Sequence, residues 1–184
     1  MNGKIAMGIV GCGYWGPNLL RAFTSLPECR MDYMCDTNED RIKSLQSMYP
    51  HLSSETEMTH MLNGANLDAI VVATPVNLHH EIVLRSLRAG KHSFLEKPMA
   101  RSVEECEEMV DCAESQGVSL MVGHTFLYSA AVRMMKKIID SGEIGKIRHI
   151  SSRRLNLGIF HKDINVVWDL APHDISIIQY LMGE

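Results

Sequence analysis

Short β-branched runs alternate along this chain with longer stretches whose apolar residues recur every three or four positions. KIAMGIVG (4–11), RMDYMCD (30–36), LDAIVVAT (67–74), HSFLE (92–96) and VSLMVGH (118–124) read as buried strands. Residues 15–26, 38–49, 77–90, 102–117 and 129–142 read as helices. Thr37 or Asn38 is the expected N-cap of the second helix, Asn77 that of the third, and Gly90 closes the third. Ser102 with Glu105 forms a capping-box pattern, and Gly117 ends that helix. Strand–helix alternation of this kind predicts an α/β fold, a doubly wound parallel sheet with right-handed crossovers. The alternation stops near residue 142. Residues 144–156 then read as a longer strand of mixed polarity, typical of an antiparallel sheet with one solvated face. Residues 168–184 read as a helix. The expected organisation is a first domain over 1–125 and part of a second, α+β domain over 126–184. Met134, Met135, Ile138 and Ile139 read as helix core.

Composition narrows the class without choosing within it. Apolar residues make up 46% and charged residues 22%, as in an ordinary globular protein. A net charge of −4 gives no reason to expect nucleic acid or an anionic membrane surface as partner. No apolar run reaches spanning length, and the N-terminal residues lack the layout of a secretory signal. The five cysteines form no C-x-x-C pair and read as reduced thiols of a cytoplasmic protein, Cys12 being a small loop residue and no nucleophile. His79 and His80 are adjacent and would point about 100° apart on a helix, so no metal site is expected.

Chemistry enters with the glycines. Gly11, Gly13 and Gly16 follow the first strand and open a helix. In that context the first permits a tight turn, the second lets backbone approach a pyrophosphate, and the third lets helix and strand pack closely. Asp36 ends the second strand 20 residues after Gly16, where an acid accepts ribose hydroxyls and repels a 2′-phosphate. NAD is therefore the expected cofactor. Arg41, one turn into the next helix, opposes this weakly, since its guanidinium could stack on adenine or attract a 2′-phosphate. Thr74 and Pro75 end the next strand, at the carboxyl edge where such sheets bind ligands. Phe94-Leu95-Glu96-Lys97-Pro98-Met99-Ala100 leaves that edge with an acid, a base and a proline in succession, and a cis Lys97–Pro98 bond is one option there. Asp169 and His173 are i, i+4 and share a helix face, with Pro172 tolerated if the helix starts at Asp169. Spacing alone favours the plainer reading, a capping Asp169 and a surface or core histidine.

Taken together, GIVGCGYWGPN, VVATPVNLHHE, FLEKPMA and DLAPHD resemble the Gfo/Idh/MocA family of nicotinamide-dependent oxidoreductases, which act mostly on sugars, inositols and sugar derivatives. The segments at 122–147 and 163–177 resemble more narrowly the branch that oxidises C3 of UDP-N-acetylglucosamine or its uronic acid. The resemblance implies a Rossmann domain followed by a substrate domain. It implies Gly11, Gly13, Tyr14, Trp15 and Gly16 at the pyrophosphate, and Asp36 and Thr37 at the adenosine ribose. It places Thr74, Pro75, Asn77 and His79 along the middle and nicotinamide end of the cofactor. Glu96 and Lys97 would lie beside the nicotinamide ribose and the substrate carbinol, with Trp168 as a further cofactor contact. Lys97, Asp169 and His173 are then the expected catalytic group: His173 the proton acceptor, Lys97 an electrostatic partner to the hydroxyl, and Asp169 the orienter, with the two base assignments open to exchange. Arg153, Arg154 and Asn156 are candidates for a sugar carboxylate or diphosphate, because arginine presents a bidentate fork, and a solvated strand face is the equal alternative. The chain ends just after the first helix of the second domain, where members of the family continue well beyond. A small sugar or sugar nucleotide is the expected partner, with homo-oligomers where the second domain is whole.

Overall fold

The computed structural model describes residues 3–64, 66–155 and 165–183. Asn156 lies outside them. The chain divides into two compact units, Met1–Val122 and Gly123–Glu184.

The first unit is built on six parallel strands: β1 (Ile5–Val10), β2 (Cys29–Cys35), β3 (Ser53–Glu55), β4 (Ala69–Val72), β5 (His92–Leu95) and β6 (Leu120–Val122), in the order β3-β2-β1-β4-β5-β6. Five helices connect them: α1 (Gly16–Thr24), α2 (Glu39–Met48), α3 (Met58–Gly64), α4 (His79–Arg88) and α5 (Val103–Gln116). Side chains of period two divide between two cores. Ala6 and Val10 of β1 and Ile70 and Val72 of β4 join α3, α4 and α5 on one face. Met7 and Ile9 with Ala69 and Val71 join α1 and α2 on the other. Both faces of the central strands are buried, which is why those strands read as continuous apolar runs. The strand order reverses between β1 and β4, so the loops after these two strands part at the carboxyl edge and leave a crevice there.

Two elements fall in residues 50–66, where the sequence pattern assigns none. β3 is a three-residue edge strand, Ser-Ser-Glu, too short and polar to alternate visibly. α3 rests Met58 and Met61 in the core, and a Cβ on Gly8 would lie 2.8 Å from the Met61 sulfur, so that side chain would have to shift. Caps mostly follow the sequence. Asn38 accepts from the Asp40 and Arg41 amides, and Ser102 from the Glu105 amide. The capping box closes differently from its pattern, because the Glu105 carboxylate bonds the Arg101 amide and guanidinium. Asn77 caps nothing: a 3₁₀ turn over Val76–Leu78 precedes α4, whose N-cap position is Leu78.

The second unit holds a 3₁₀ turn at Thr125–Tyr128, α6 (Ala130–Asp140) and α7 (Val166–Met182), each packed against the other two. Three expectations change here. Residues 144–155 form no strand, because no described edge pairs with them, and alternation without a ladder partner leaves backbone unpaired. Helix α7 starts three residues before Asp169, capped by the Asn165 side chain on the Trp168 amide. Pro172 is therefore interior and takes from the helix the donor that would reach the Trp168 carbonyl. Of the apolar positions on α6 only Val132 is buried, while Met134 and Met135 are 56% and 43% exposed. Among the described residues, no helix is long and apolar enough to cross a membrane.

Candidate functional site

The carboxyl edge of the first unit collects most of the expected side chains. Gly11 turns with φ +99°, and a Cβ there would lie 2.6 Å from the Ala73 carbonyl where β4 exits. Gly16 is more constrained still, since a Cβ there would collide with the Gly11 carbonyl oxygen. Those two glycines are demanded by the protein's own backbone. Gly13 is not. A Cβ there meets nothing nearer than Arg41 at 3.6 Å, so the open space beside it lies on the ligand side of the loop. That space fits a pyrophosphate held by loop amides and the N-terminus of α1.

Asp36 is buried and fixed. One carboxylate oxygen accepts from the Cys12 amide and the other from the Asn38 amide, each at 2.8 Å, and Arg41 lies 3.5 Å away. Each oxygen keeps a second lone pair for a ribose hydroxyl. Asn38, Asp40 and Arg41 line a cleft of about 340 Å³ between α1 and α2 together with Cys12 and Pro17. The Cys12 thiol is pushed up to about 12 by burial and by the Asp36 charge, so it stays protonated and is no nucleophile. Thr37 and Tyr14 are exposed.

At the next two strand ends, Thr74 Oγ1 and Glu96 Oε1 are buried side-chain atoms without a hydrogen-bond partner among the described residues. Orphaned polar atoms at a sheet's ligand-binding edge fit a polar ligand that completes them. Burial pushes the Glu96 carboxyl up, opposed by hydrogen bonds from the Trp15 side chain and the Lys97 backbone and by the Lys97 charge. Trp15, expected at the pyrophosphate, thus ties the glycine loop to the Glu96–Pro98 turn. The Lys97–Pro98 bond is cis, and Lys97 is half-buried. Pro75 and Asn77 are exposed.

His79 differs from its expected role at the nicotinamide end. Its ring is 1% exposed, with Nε2 2.9 Å from the Thr74 carbonyl and Nδ1 3.0 Å from the Pro98 carbonyl. It clamps the turn after β4 to the turn after β5 and has no nitrogen left for a ligand. Burial lowers its pKa, against the pull of the carbonyls. The role was misplaced because a histidine in the first turn of a helix reads the same from sequence whether it points out or in.

In the second unit, Asp169 and His173 lie one turn apart on α7, both half-buried, with Trp168 36% exposed just before them. The Phe126 and His173 rings form a T-shaped pair, 4.7 Å between centroids and 76° between planes. Arg154 is engaged within the unit: Nε donates to Asp174 at 2.8 Å, and the guanidinium carbon lies 4.8 Å over Phe126. Arg153 is exposed. Phe126 and Asp174, which the sequence did not mark, join Arg154 beside His173. Asp174, directly after the histidine, carried the available signal. His124, two residues past β6, also has a lowered pKa from burial. Among the described residues no group of three or more His, Cys, Asp or Glu is placed to hold a metal ion.

Comparison with known proteins agrees with the fold of the first unit. Residues 5–124 match the family model for Gfo/Idh/MocA, described as an oxidoreductase family with an NAD-binding Rossmann fold. The 2,7-anhydro-N-acetylneuraminate hydratase of Mediterraneibacter gnavus is 30% identical over 97% of the chain and 50% of its own length. Inositol 2-dehydrogenase 2 of Saccharopolyspora erythraea is 29% identical over 97% of the chain and 54% of its own. The crystal structure of the WlbA dehydrogenase from Bordetella pertussis, in complex with NADH and UDP-GlcNAcA, superposes with a TM-score of 0.86 at 26% identity, covering 98% of the chain and 56% of that structure. The chain spans about half the length of the curated relatives it matches.

Proposed function

The chain belongs to the Gfo/Idh/MocA oxidoreductase family, with its NAD-binding Rossmann fold, and on that premise we propose that it serves the NAD-dependent oxidation of a secondary hydroxyl, C3 of a UDP-amino sugar or its uronic acid. The observation that carries the substrate class is the likeness to the WlbA dehydrogenase bound to NADH and UDP-GlcNAcA, which runs through both units of the chain. Gly123–Glu184 is then the beginning of a substrate domain, and the protein acts in the cytoplasm.

Bound NAD supplies the acceptor for the hydride that leaves the carbinol carbon. Gly13 and its neighbours hold the pyrophosphate, Asp36 and Thr37 the adenosine ribose, and Thr74 and Glu96 the polar groups further along. The protein must also take the hydroxyl proton. His173 suits that at neutral pH, Lys97 places a positive charge beside the developing alkoxide, and Asp169 orients the imidazole. Arg153 is the remaining candidate for the substrate's anionic groups, together with Asn156. A simple-sugar or inositol dehydrogenase is the second reading, favoured by the inositol dehydrogenase relative. A non-catalytic NAD-binding module is the third.

Thermal shift with NADH, NADPH, UDP-N-acetylglucosamine, its uronic acid and myo-inositol separates the three. NADH at a hundred times its Kd should add about 2.7 kcal/mol of stability. A further rise with the uronic acid supports the first reading, a rise with inositol the second, and a response to NADH alone the third. In an active protein, Lys97→Met and His173→Asn should each lower hydride transfer by roughly 10²-fold or more. Near-native rates in both would remove the catalytic assignment.

A further inference from the structure

The environment of His173 contains a device that its proposed proton role leaves unexplained. Three separate segments supply it: residues 152–154, the 3₁₀ turn at Thr125–Tyr128, and α7. Ser152 Oγ donates to one Asp174 oxygen and Arg154 Nε to the other, both at 2.8 Å, so the carboxylate is held from two sides. Burial alone would push the Asp174 carboxyl up, but the bonds from Ser152 and Arg154 outweigh it and keep the group below the usual carboxylate range. With Nε fixed on Asp174, Arg154 carries its guanidinium carbon 4.8 Å over the centroid of the Phe126 ring. Phe126 is 41% exposed, and it stands at 76° to the His173 imidazole with centroids 4.7 Å apart.

We propose that Arg154, held by Asp174, is a positioning residue for His173, acting through the ring of Phe126. The inference rests on the reading of His173 as proton acceptor, and it gives one of the paired arginines a role within the protein. A planar, permanently charged guanidinium can bond a carboxylate through one nitrogen while its carbon rests against an aromatic ring, whereas an ammonium is a single compact charge and serves both partners at once less well. The imidazole turns about two bonds, and the Phe126 ring 4.7 Å away limits that turning. A proton acceptor has to be held within about half an ångström of its productive place, so the ring that confines it must itself be confined.

Histidine-labelled NMR of the chain as it stands tests this without turnover. At pH 8, where a free imidazole is neutral, the His173 ring protons should be displaced from free-histidine positions by the Phe126 ring current, with His173→Asn identifying the signals. Phe126→Leu should abolish the displacement. Arg154→Met and the near-isosteric Asp174→Asn should each move the signals toward the free values, while the His79 signals stay in place and report an intact first unit. Arg154→Lys should restore less than the native displacement. Native His173 signals in both Arg154→Met and Asp174→Asn would overturn the proposal and leave Arg154 a surface ion pair. If Arg154→Met fails to fold, Asp174→Asn gives the same decision. The ring shifts test the positioning and hydride transfer by His173→Asn tests the proton role, so the two readings fail separately.

Discussion

Gly11, Gly13 and Gly16 share one loop but answer to different neighbours. A methyl at Gly16 would collide with the Gly11 carbonyl, and one at Gly11 would need both a positive φ and space that β4's exit already fills. Gly11→Ala and Gly16→Ala should therefore each cost roughly 2–3 kcal/mol of folding stability, measured by chemical denaturation. Gly13→Ala should stay within about 0.5 kcal/mol of the native stability yet weaken NADH binding on the order of tenfold, measured by fluorescence titration. A large stability loss at Gly13 would show that its constraint is internal. His79 makes a pH prediction. A neutral imidazole donates to one carbonyl only, and burial resists the second proton that would satisfy the other. Its folded pKa lies below the unfolded value of about 6.5, so the unfolded state takes up the proton first. The stability that neutral His79 contributes is then complete above about pH 6.5 and is lost as pH falls toward the folded pKa. His124 has the same sign. Melting temperatures between pH 8 and 5 should fall, and fall less steeply in His79→Asn; equal slopes would show that His79 is not the group responsible. The glycine pattern and Asp36 were legible at this scale because their chemistry is local. The inward turn of His79 was not, because its partners are the carbonyls of Thr74 and of Pro98, nineteen residues on.

Elements were legible where a cap or a period marks them. Ser102, Ser129, Gly117 and Asn38 stand at the helix ends their chemistry favours. Helix α7 was harder, since Asp169 and Pro172 together imitate a helix start. The true cap is Asn165, whose side chain accepts from the Trp168 amide at 2.9 Å. Asn165→Ala should cost about 1 kcal/mol and fray the first turn of α7, read by faster amide exchange at Trp168 and Asp169. No change at those amides would place the start of the helix at Asp169 after all. The segment 144–155 shows the limit from the other side. Its alternation specifies two faces, but a strand exists only when another strand accepts its backbone groups, and that partner is not written in the segment itself.

For the molecule as a whole, β-branched runs alternating with amphipathic helices determined a doubly wound sheet, because a strand buried on both faces and a helix buried on one leave few ways to close a core. The sequence alone also determined the glycine turn and the acid that braces it, which lie within one β-α-β stretch, and it marked Lys97, Asp169 and His173 for attention. Tertiary structure decided what depends on neighbours distant in sequence. It turned His79 into a clamp between two loops, bound Trp15 to Glu96, filled residues 50–66 with an edge strand and a helix, and committed Arg154 to Asp174 and Phe126. The physical reason is the same in each case. Periodicity and capping are properties of a few consecutive residues, while the direction of a polar side chain is set by whichever donor, acceptor or ring the fold brings within about 3–5 Å of it.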